Sequence, residues 1–468
     1  DDVLNRTFDL FMELGATDEQ ADFPVIYACA TKGLAGLEPE LENMTSVLPV
    51  LDVVLEKVPP PVGHIDRPLQ MLTLSLAYDD YRGRMAIGRI SNGTLRRNQM
   101  ITHIDREGNQ KKVRVADIYT YEGLARTPCE EATAGDIVAI AGLPFVHIGE
   151  TIADAEEPEA IPTIAIDEPV VKMTFAVNTS PFSGNEGDYS TSRHLRERLM
   201  RELETDVALR VEDTDSPDRL EVSGRGELHL AILIEKMRRE GYELQAGRPQ
   251  VIFKEIDGKR HEPTEVVYIE VPEEFSGAVI EKMNQRRGEM LDMKPEGKNI
   301  HLEYLIPTRG LIGYRSEFLT DTKGMGTLHS INAGYEPYAG DLSSPPRGFL
   351  VSWEQGTSNS YAIQNAEERG VLFVGPGVPV YEGMIVGLNS RPEDMDFNIC
   401  KSKKLTNMRS STSDIKVALT PPRILTLEQA IEIIGDDELV EVTPKSIRLR
   451  KTILGLHDRR RSKAQAAR

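Results

Sequence analysis

The chain has 468 residues, 40% of them hydrophobic and 28% charged, with a formal net charge of −20. That length exceeds one ordinary core and predicts three or four domains, and the acidic balance excludes a non-specific nucleic-acid coat protein. No run is long and apolar enough to cross a membrane, no secretory signal precedes the first helix, and Cys29, Cys129 and Cys400 form no CxxC pair. Reduced thiols in a cytoplasmic protein are therefore expected, with no metal site.

In chain order, Leu4, Phe8, Phe11 and Leu14 share one face of a first helix that Gly15 can end. Phe23 to Ala30 reads as a short buried strand, and a second amphipathic helix, about Val47 to Lys57, stops at Pro59-Pro60-Pro61. This is the pattern of the last part of an α/β sheet. From Leu69 to about Thr163 short alternating runs follow, among them Gln70 to Leu76, Met85 to Ile90, Met100 to Ile104, Lys112 to Ile118 and Ile137 to Ala141. Ser91-Asn92-Gly93 and Glu107-Gly108-Asn109 carry hairpin-type turn residues. Strands at this spacing, with no helical period between them, predict a small closed β-barrel.

Two blocks of the order β-α-β-β-α-β come next, the split βαβ arrangement. The first takes in Val170 to Val177, Ser192 to Glu204, Val207 to Glu212, Leu220 to Val222, a helix from Glu227 to Glu240, and Tyr242 to Gln245. At its centre stands Ser223-Gly-Arg-Gly-Glu-Leu-His-Leu230, a strand-to-helix corner. There Ser223 can cap the helix, Gly224 and Gly226 can allow the turn, and Glu227 lies where the helix dipole favours a carboxylate. The second block runs from Val266 through a helix at Ala278 to Gln285, strands to Ile306, a helix near Leu311 to Thr320 and a strand near Thr327. Ile-Glu-Lys-Met occurs in both blocks, at Ile234 and Ile280. Beyond Arg347 the chain is strand-rich and follows no familiar small fold. It contains a capped helix at Thr426 to Ile434, a last strand at Thr443 to Leu449, and a basic tail to Arg468 read as a disordered end.

This order, and four phrases within it, resembles the BipA/TypA family of ribosome-associated translational GTPases over essentially the whole chain. The phrases are Ser223 to Leu230, Arg309-Gly-Leu-Ile-Gly-Tyr-Arg-Ser-Glu-Phe318, Lys403-Lys-Leu-Thr-Asn-Met-Arg409 and Asp436-Asp-Glu-Leu-Val-Glu-Val-Thr-Pro444. The first is shared with EF-G and LepA, and the others are more specific to BipA. In EF-G a further domain separates the two split-βαβ domains, whereas here Arg248 runs into Thr264 without room for one. The implied fold is multidomain α+β. It comprises a remnant of an α/β G domain (1–62), a translation-factor β-barrel (67–163), two ferredoxin-like βαββαβ domains (168–255 and 262–342) and a mixed, strand-rich C-terminal domain (347–468).

The family implies GTP or GDP with Mg²⁺ as cofactor, and the ribosome as partner through rRNA, A-site tRNA and ribosomal proteins, with a monomer off the ribosome. A GTPase needs a Gly-rich loop with Lys-Ser/Thr for the phosphates, a switch Asp-x-x-Gly and an Asn-Lys-x-Asp guanine reader. No GxxxxGK[ST] and no NKxD occurs in this sequence. Cys29-Ala30 matches only the last guanine-contacting element, where the Ala30 backbone would touch the base. A truncated chain, inactive as a GTPase by itself, is expected, and an ordinary strand end describes Cys29-Ala30 better.

Lys401-Ser-Lys-Lys-Leu-Thr-Asn-Met-Arg409 carries four cations and no acid. Lys401, Lys403, Lys404, Asn407 and Arg409 suit phosphate and 2′-hydroxyl contacts on RNA, the alternative being a solvated loop. Arg309 and Arg315 flank Gly310 and Gly313, with Tyr314 offered for stacking. That segment reads equally as RNA contact or as a helix start whose glycines allow close packing. His194 and His229 lack partners at catalytic or metal spacing and are read as structural. Two other classes stay open: a nucleotide-independent ribosome or RNA module, and a metabolic enzyme regulated through ferredoxin-like domains.

Overall fold

The computed structural model describes residues 2–79, 81–163, 168–342, 348–402 and 419–466. They fall into two units, 1–75 with 79–163, and 76–78 with 164–468.

At the front of the first unit, the helix Asp2–Glu13 buries none of its residues. The expected buried strand from Phe23 is instead a half-exposed hairpin, Tyr27–Cys29 antiparallel to Leu34–Gly36, joined through a 3₁₀ turn at Ala30–Lys32. Among the described residues of 2–62, only Ala35 and Met44 are buried apolar side chains. One two-stranded hairpin has too little area to cover both faces of a strand, which explains the difference.

Further along the unit, the sheet order is Ala125–Cys129, Asp117–Glu122, Ile137–Ala141, Gly83–Asn92, Gln70–Leu72, Thr151–Ala153, Met100–Ile104, Gln110–Arg114. Met71, Ile90, Ile101, Val138 and Ile152 are wholly out of solvent. No helix is present between 69 and 163 among the described residues, and the two end strands, Ala125–Cys129 and Gln110–Arg114, are not paired with each other, so the sheet is strand-only as expected but its hydrogen-bond ladder is not a closed ring. Glu107-Gly108-Asn109 lies in the predicted hairpin between Met100–Ile104 and Gln110–Arg114. Two readings change. The run Lys112 to Ile118 breaks at Val115 and Ala116, whose N–H groups donate to Gln99 and Ala141. Ser91-Asn92-Gly93 is a corner rather than a hairpin, leading into Thr94–Arg96, which pairs with Glu131–Thr133.

The second unit begins with β1 (Val171–Val177), α1 (Ser192–Leu203), β2 (Arg210–Asp213), β3 (Arg219–Gly224), α2 (Glu227–Arg239) and β4 (Leu244–Ala246). The sheet order β2-β3-β1-β4 is that of a ferredoxin-like fold. Leu230, Ala231, Leu233, Ile234 and Met237 of α2 are buried, at the spacing of one helix face. A second such fold follows, with β5 (Lys259–Pro272), α3 (Glu273–Gln285), β6 (Glu289–Glu296), β7 (Asn299–Pro307), α4 (Thr308–Leu311), α5 (Tyr314–Asp321) and β8 (Thr327–Pro337), ordered β8-β5-β7-β6. Where the sequence predicts one helix near Leu311 to Thr320, two short helices meet at Ile312 and Gly313. Met237 and Met283, the last residues of the two Ile-Glu-Lys-Met copies, are both fully buried on α2 and α3.

The C-terminal part holds β9 (Phe349–Ser352), α6 (Ser360–Glu367), β10 (Gly370–Leu372), β11 (Met384–Asn389), β12 (Met395–Phe397), α7 (Leu427–Ile433), β13 (Glu438–Val442), β14 (Ile447–Lys451) and α8 (Leu456–Ala466). Its strands extend the first ferredoxin-like sheet, in the order β2-β3-β1-β4-β13-β14-β11-β9-β12. The join is the antiparallel pairing of Leu244, Gln245 and Ala246 with Val442, Glu441 and Val440. Glu441, fully buried beside this join, accepts hydrogen bonds from Ser180 Oγ (2.8 Å), Tyr381 OH (2.6 Å) and Arg448 Nη1 (2.9 Å). Buried Glu243 accepts from the amides of Gly184, Glu186 and Gly187. Buried carboxylates with this many donors are tolerated, and they hold the two parts in one register.

The tail differs from the expected disordered end. Residues Leu456–Ala466 form α8, where Arg459 pairs with Asp396 at 2.6 Å and Lys463 with Asp394 at 3.1 Å. Charge pairing to an acidic edge supplies what the short helix lacks in apolar surface.

Candidate nucleic-acid interface

The Ser223 to Leu230 corner is built differently from the local expectation. Ser223 is a buried residue of β3, paired with both Lys172 and Arg210, and the cap position of α2 is Gly226 without a side-chain cap. Gly226 has extended backbone with open space at its Cα. Gly224 is the constrained one, since a Cβ there would meet His229 Nδ1 at 2.8 Å. His229 accepts the Arg225 amide at Nδ1 (3.2 Å) and its Nε2 bonds to Asp206 (2.6 Å), which holds the Asp206 carboxyl below its usual range. His229 thus pins the corner, as a structural group.

Glu227 leaves this corner and reaches the second ferredoxin-like fold. Burial and then the Glu432 carboxyl push it up to about 7, against the Gly313 amide and Arg315. Its Oε2 has no hydrogen-bond partner among the described residues. The helix dipole, worth about 0.3–1 kcal/mol at an exposed site, is outweighed by desolvation. The same contact answers the question raised by the Thr308 to Arg315 segment. The Gly313 amide, at the start of the second short helix, already faces a carboxyl of this chain.

Arg309 is brought inward. It pairs with the fully buried Glu262, with Nη2 to Oε1 at 2.9 Å, donates to the Gly340 carbonyl, and lies 4.7 Å from the Tyr338 ring centre. Tyr314 is completely buried, with no face left for a base, and Arg286 lies 4.8 Å from its ring. A Cβ at Gly310 would meet the Arg286 carbonyl at 2.7 Å, so that glycine allows close packing. Arg315 stays exposed, 3.5 Å from Ser330 Oγ. Of this segment, only Arg315 presents a cation outward.

Lys401 is exposed, while Lys403, Lys404, Asn407 and Arg409 lie outside the described residues. Both ends of their segment are held by the C-terminal core. Ile399 is fully buried, Cys400 N–H donates to Asn398 Oδ1 (2.9 Å), and Thr420 N–H donates to Glu367 Oε1 (2.6 Å).

The residues present do not fit a guanine nucleotide. Ala30 is exposed in a 3₁₀ turn, Cys29 Sγ lies 3.4 Å from Thr31 Oγ1, and the sequence has no Gly-rich phosphate loop. Among the described residues, Asp394, Asp437 and Glu438 alone stand together at metal-ligand spacing. Lys451 Nζ already neutralises them, at 2.7, 3.0 and 2.5 Å. No helix among the described residues is long and apolar enough to cross a membrane.

Family comparisons match three stretches: the TypA/BipA C-terminal domain at 347–455, the elongation factor G C-terminus at 259–345, and elongation factor G domain 2 at 68–155. Three similar proteins are each called large ribosomal subunit assembly factor BipA. The one from Synechocystis is 49% identical over 96% of this chain and 75% of its own length. The Bacillus subtilis protein is 48% identical over 99% and 76%, and the Haemophilus influenzae protein 49% identical over 98% and 75%.

Proposed function

The chain belongs to the TypA/BipA family, and from that premise we propose that it is a ribosome-binding effector acting in large-subunit assembly. It contacts rRNA and tRNA in the translation-factor site through Lys401, Lys403, Lys404, Asn407 and Arg409, with Arg315 a second contact. The observation that carries this reading is the similarity, over nearly the whole chain, to proteins named as large-subunit assembly factors. The fixed flanks add support, because Ile399 is buried and the Thr420 amide is bonded to Glu367 on either side of the cationic segment. GTP or GDP with Mg²⁺ belongs to the family reading, but this sequence holds no phosphate loop for them. The chain alone therefore binds without turning nucleotide over.

The test is co-sedimentation with large ribosomal subunits across a salt series. Changing Lys401, Lys403, Lys404 and Arg409 together to Ala is expected to lower affinity and flatten the log–log salt slope by about 3, at roughly 0.7–0.9 per lost phosphate contact. Unchanged affinity and slope would remove the segment from the interface. Adding GTP or GDP analogues is expected to leave binding of this chain unaltered.

A further inference from the structure

One device occurs three times in and beside the second ferredoxin-like fold. Arg309 lies 4.7 Å from the Tyr338 ring centre and is paired with Glu262. Arg286 lies 4.8 Å from Tyr314 and pairs with Glu317 at 2.7 Å. Lys254 lies 4.3 Å from Tyr335 and pairs with Glu168 at 2.6 Å. In each, a cation rests on a tyrosine face while a carboxylate takes its charge, the arrangement in which both attractions act on one group.

A fourth tyrosine and carboxylate stand together with no cation paired to either, while Lys294, paired to Asp292, reaches Glu303 through its charge alone. Helices α3 and α5 cover one face of the sheet, burying Val267, Ile269 and Val271 of β5 and Leu302 and Tyr304 of β7. The alternate residues point to the other, open face. There Tyr268 is directly opposite Glu303 on β7 and His329 on β8. Tyr268 is 44% exposed and lines a groove of about 200 Å³ with Glu270, Asp292, His301, Glu303 and His329. Among the described residues neither the Tyr268 hydroxyl nor the Glu303 carboxylate has a hydrogen bond or ion pair, whereas Lys294 is already taken by Asp292 at 2.5 Å. The groove is smaller than the ~300 Å³ lower bound of cofactor pockets, and suits one inserted side chain.

We propose that Tyr268 and Glu303 seat an arginine side chain from a basic segment of a partner protein, a contact separate from the RNA contacts above. Charge decides the class of partner. Glu270 and Glu303 repel nucleic-acid phosphates at short range, Asp292 being balanced by Lys294, and they attract a guanidinium that can stack on the ring and bind the Glu303 carboxylate with two N–H groups.

Fluorescence anisotropy of the full chain with a labelled peptide of alternating glycine and arginine tests this, with oligouridine of equal length as the RNA arm. Tyr268→Ala and Glu303→Gln are each expected to weaken peptide binding about tenfold, while Tyr268→Phe, which keeps the ring face, stays within about twofold. A control pair of exposed acids elsewhere, Glu38→Gln with Glu40→Gln, is expected to change it less than twofold. Three outcomes would overturn the proposal: no loss in Tyr268→Ala, an equal loss in the control pair, or oligouridine binding that depends on Tyr268.

Discussion

Glu227 shows how a residue can be read correctly in place and wrongly in environment. Its position in the first turn of α2 follows from the corner motif, and the dipole argument makes it an ordinary carboxylate. What changes it is Glu432, 205 positions away in sequence, and the removal of water by the second ferredoxin-like fold. Because the folded value of about 7 lies above the unfolded value of about 4.3, the native state holds an extra proton between them. Stability tied to Glu227 is thus fully present below about pH 4.3 and is lost as the pH rises through about 7. Glu227→Gln is expected to raise the melting temperature at pH 8 by a few degrees and leave it almost unchanged at pH 4. Melting curves across that range check it, and a pH-independent difference would count against a raised carboxyl. Arg309 carries the same lesson with opposite sign of exposure, since nothing local to Arg309-Gly310 announces Glu262 on β5.

At the scale of elements, local signals were reliable where the stabilising groups are neighbours in sequence. The capping box of Thr426 and Gln429 on α7 is present in full, and the helices of the first ferredoxin-like fold lie within about one residue of their predicted ends. Signals failed where a partner from far away decides. The strands β4 and β13 are buried on both faces, so they carry no alternation from which pairing or register can be read. The break between α4 and α5 falls at Gly313, whose φ of 72° leaves the helical region, and a periodicity argument spans it. Val440 pairs with Ala246 on one side and Leu449 on the other. Val440→Pro removes a ladder donor in the interior of this sheet, with an expected loss of about 3 kcal/mol or more. Hydrogen exchange offers the check: in the parent protein the amides of β4 and β13 exchange together among the slowest, and in the variant both groups speed up together.

At the scale of the whole molecule, the continuous sheet makes one structural unit of two domains that the sequence separates at residues 255 and 347. Leu230, Ile234, Ile431 and Val440 belong to a single buried cluster, so cooperative unfolding should follow the core and not the domain count. Calorimetry is expected to show the first ferredoxin-like fold and the C-terminal part melting in one transition. Two separable transitions, assigned by exchange to β1 to β4 and to β9 to β14, would contradict that.

The sequence by itself determined the order of the main elements in the two split-βαβ blocks and the family, because these rest on periodicity, turn chemistry and phrases that are local along the chain. It also showed that no phosphate loop is present. Only the tertiary structure decided that Ser223 is a strand residue, that Tyr314 and Arg309 are spent on internal packing, and that Arg459 of the basic tail is held by Asp396 in a helix. The reason is the same in each case. Burial and ion pairing depend on groups tens to hundreds of residues away, and no short window of sequence contains both partners.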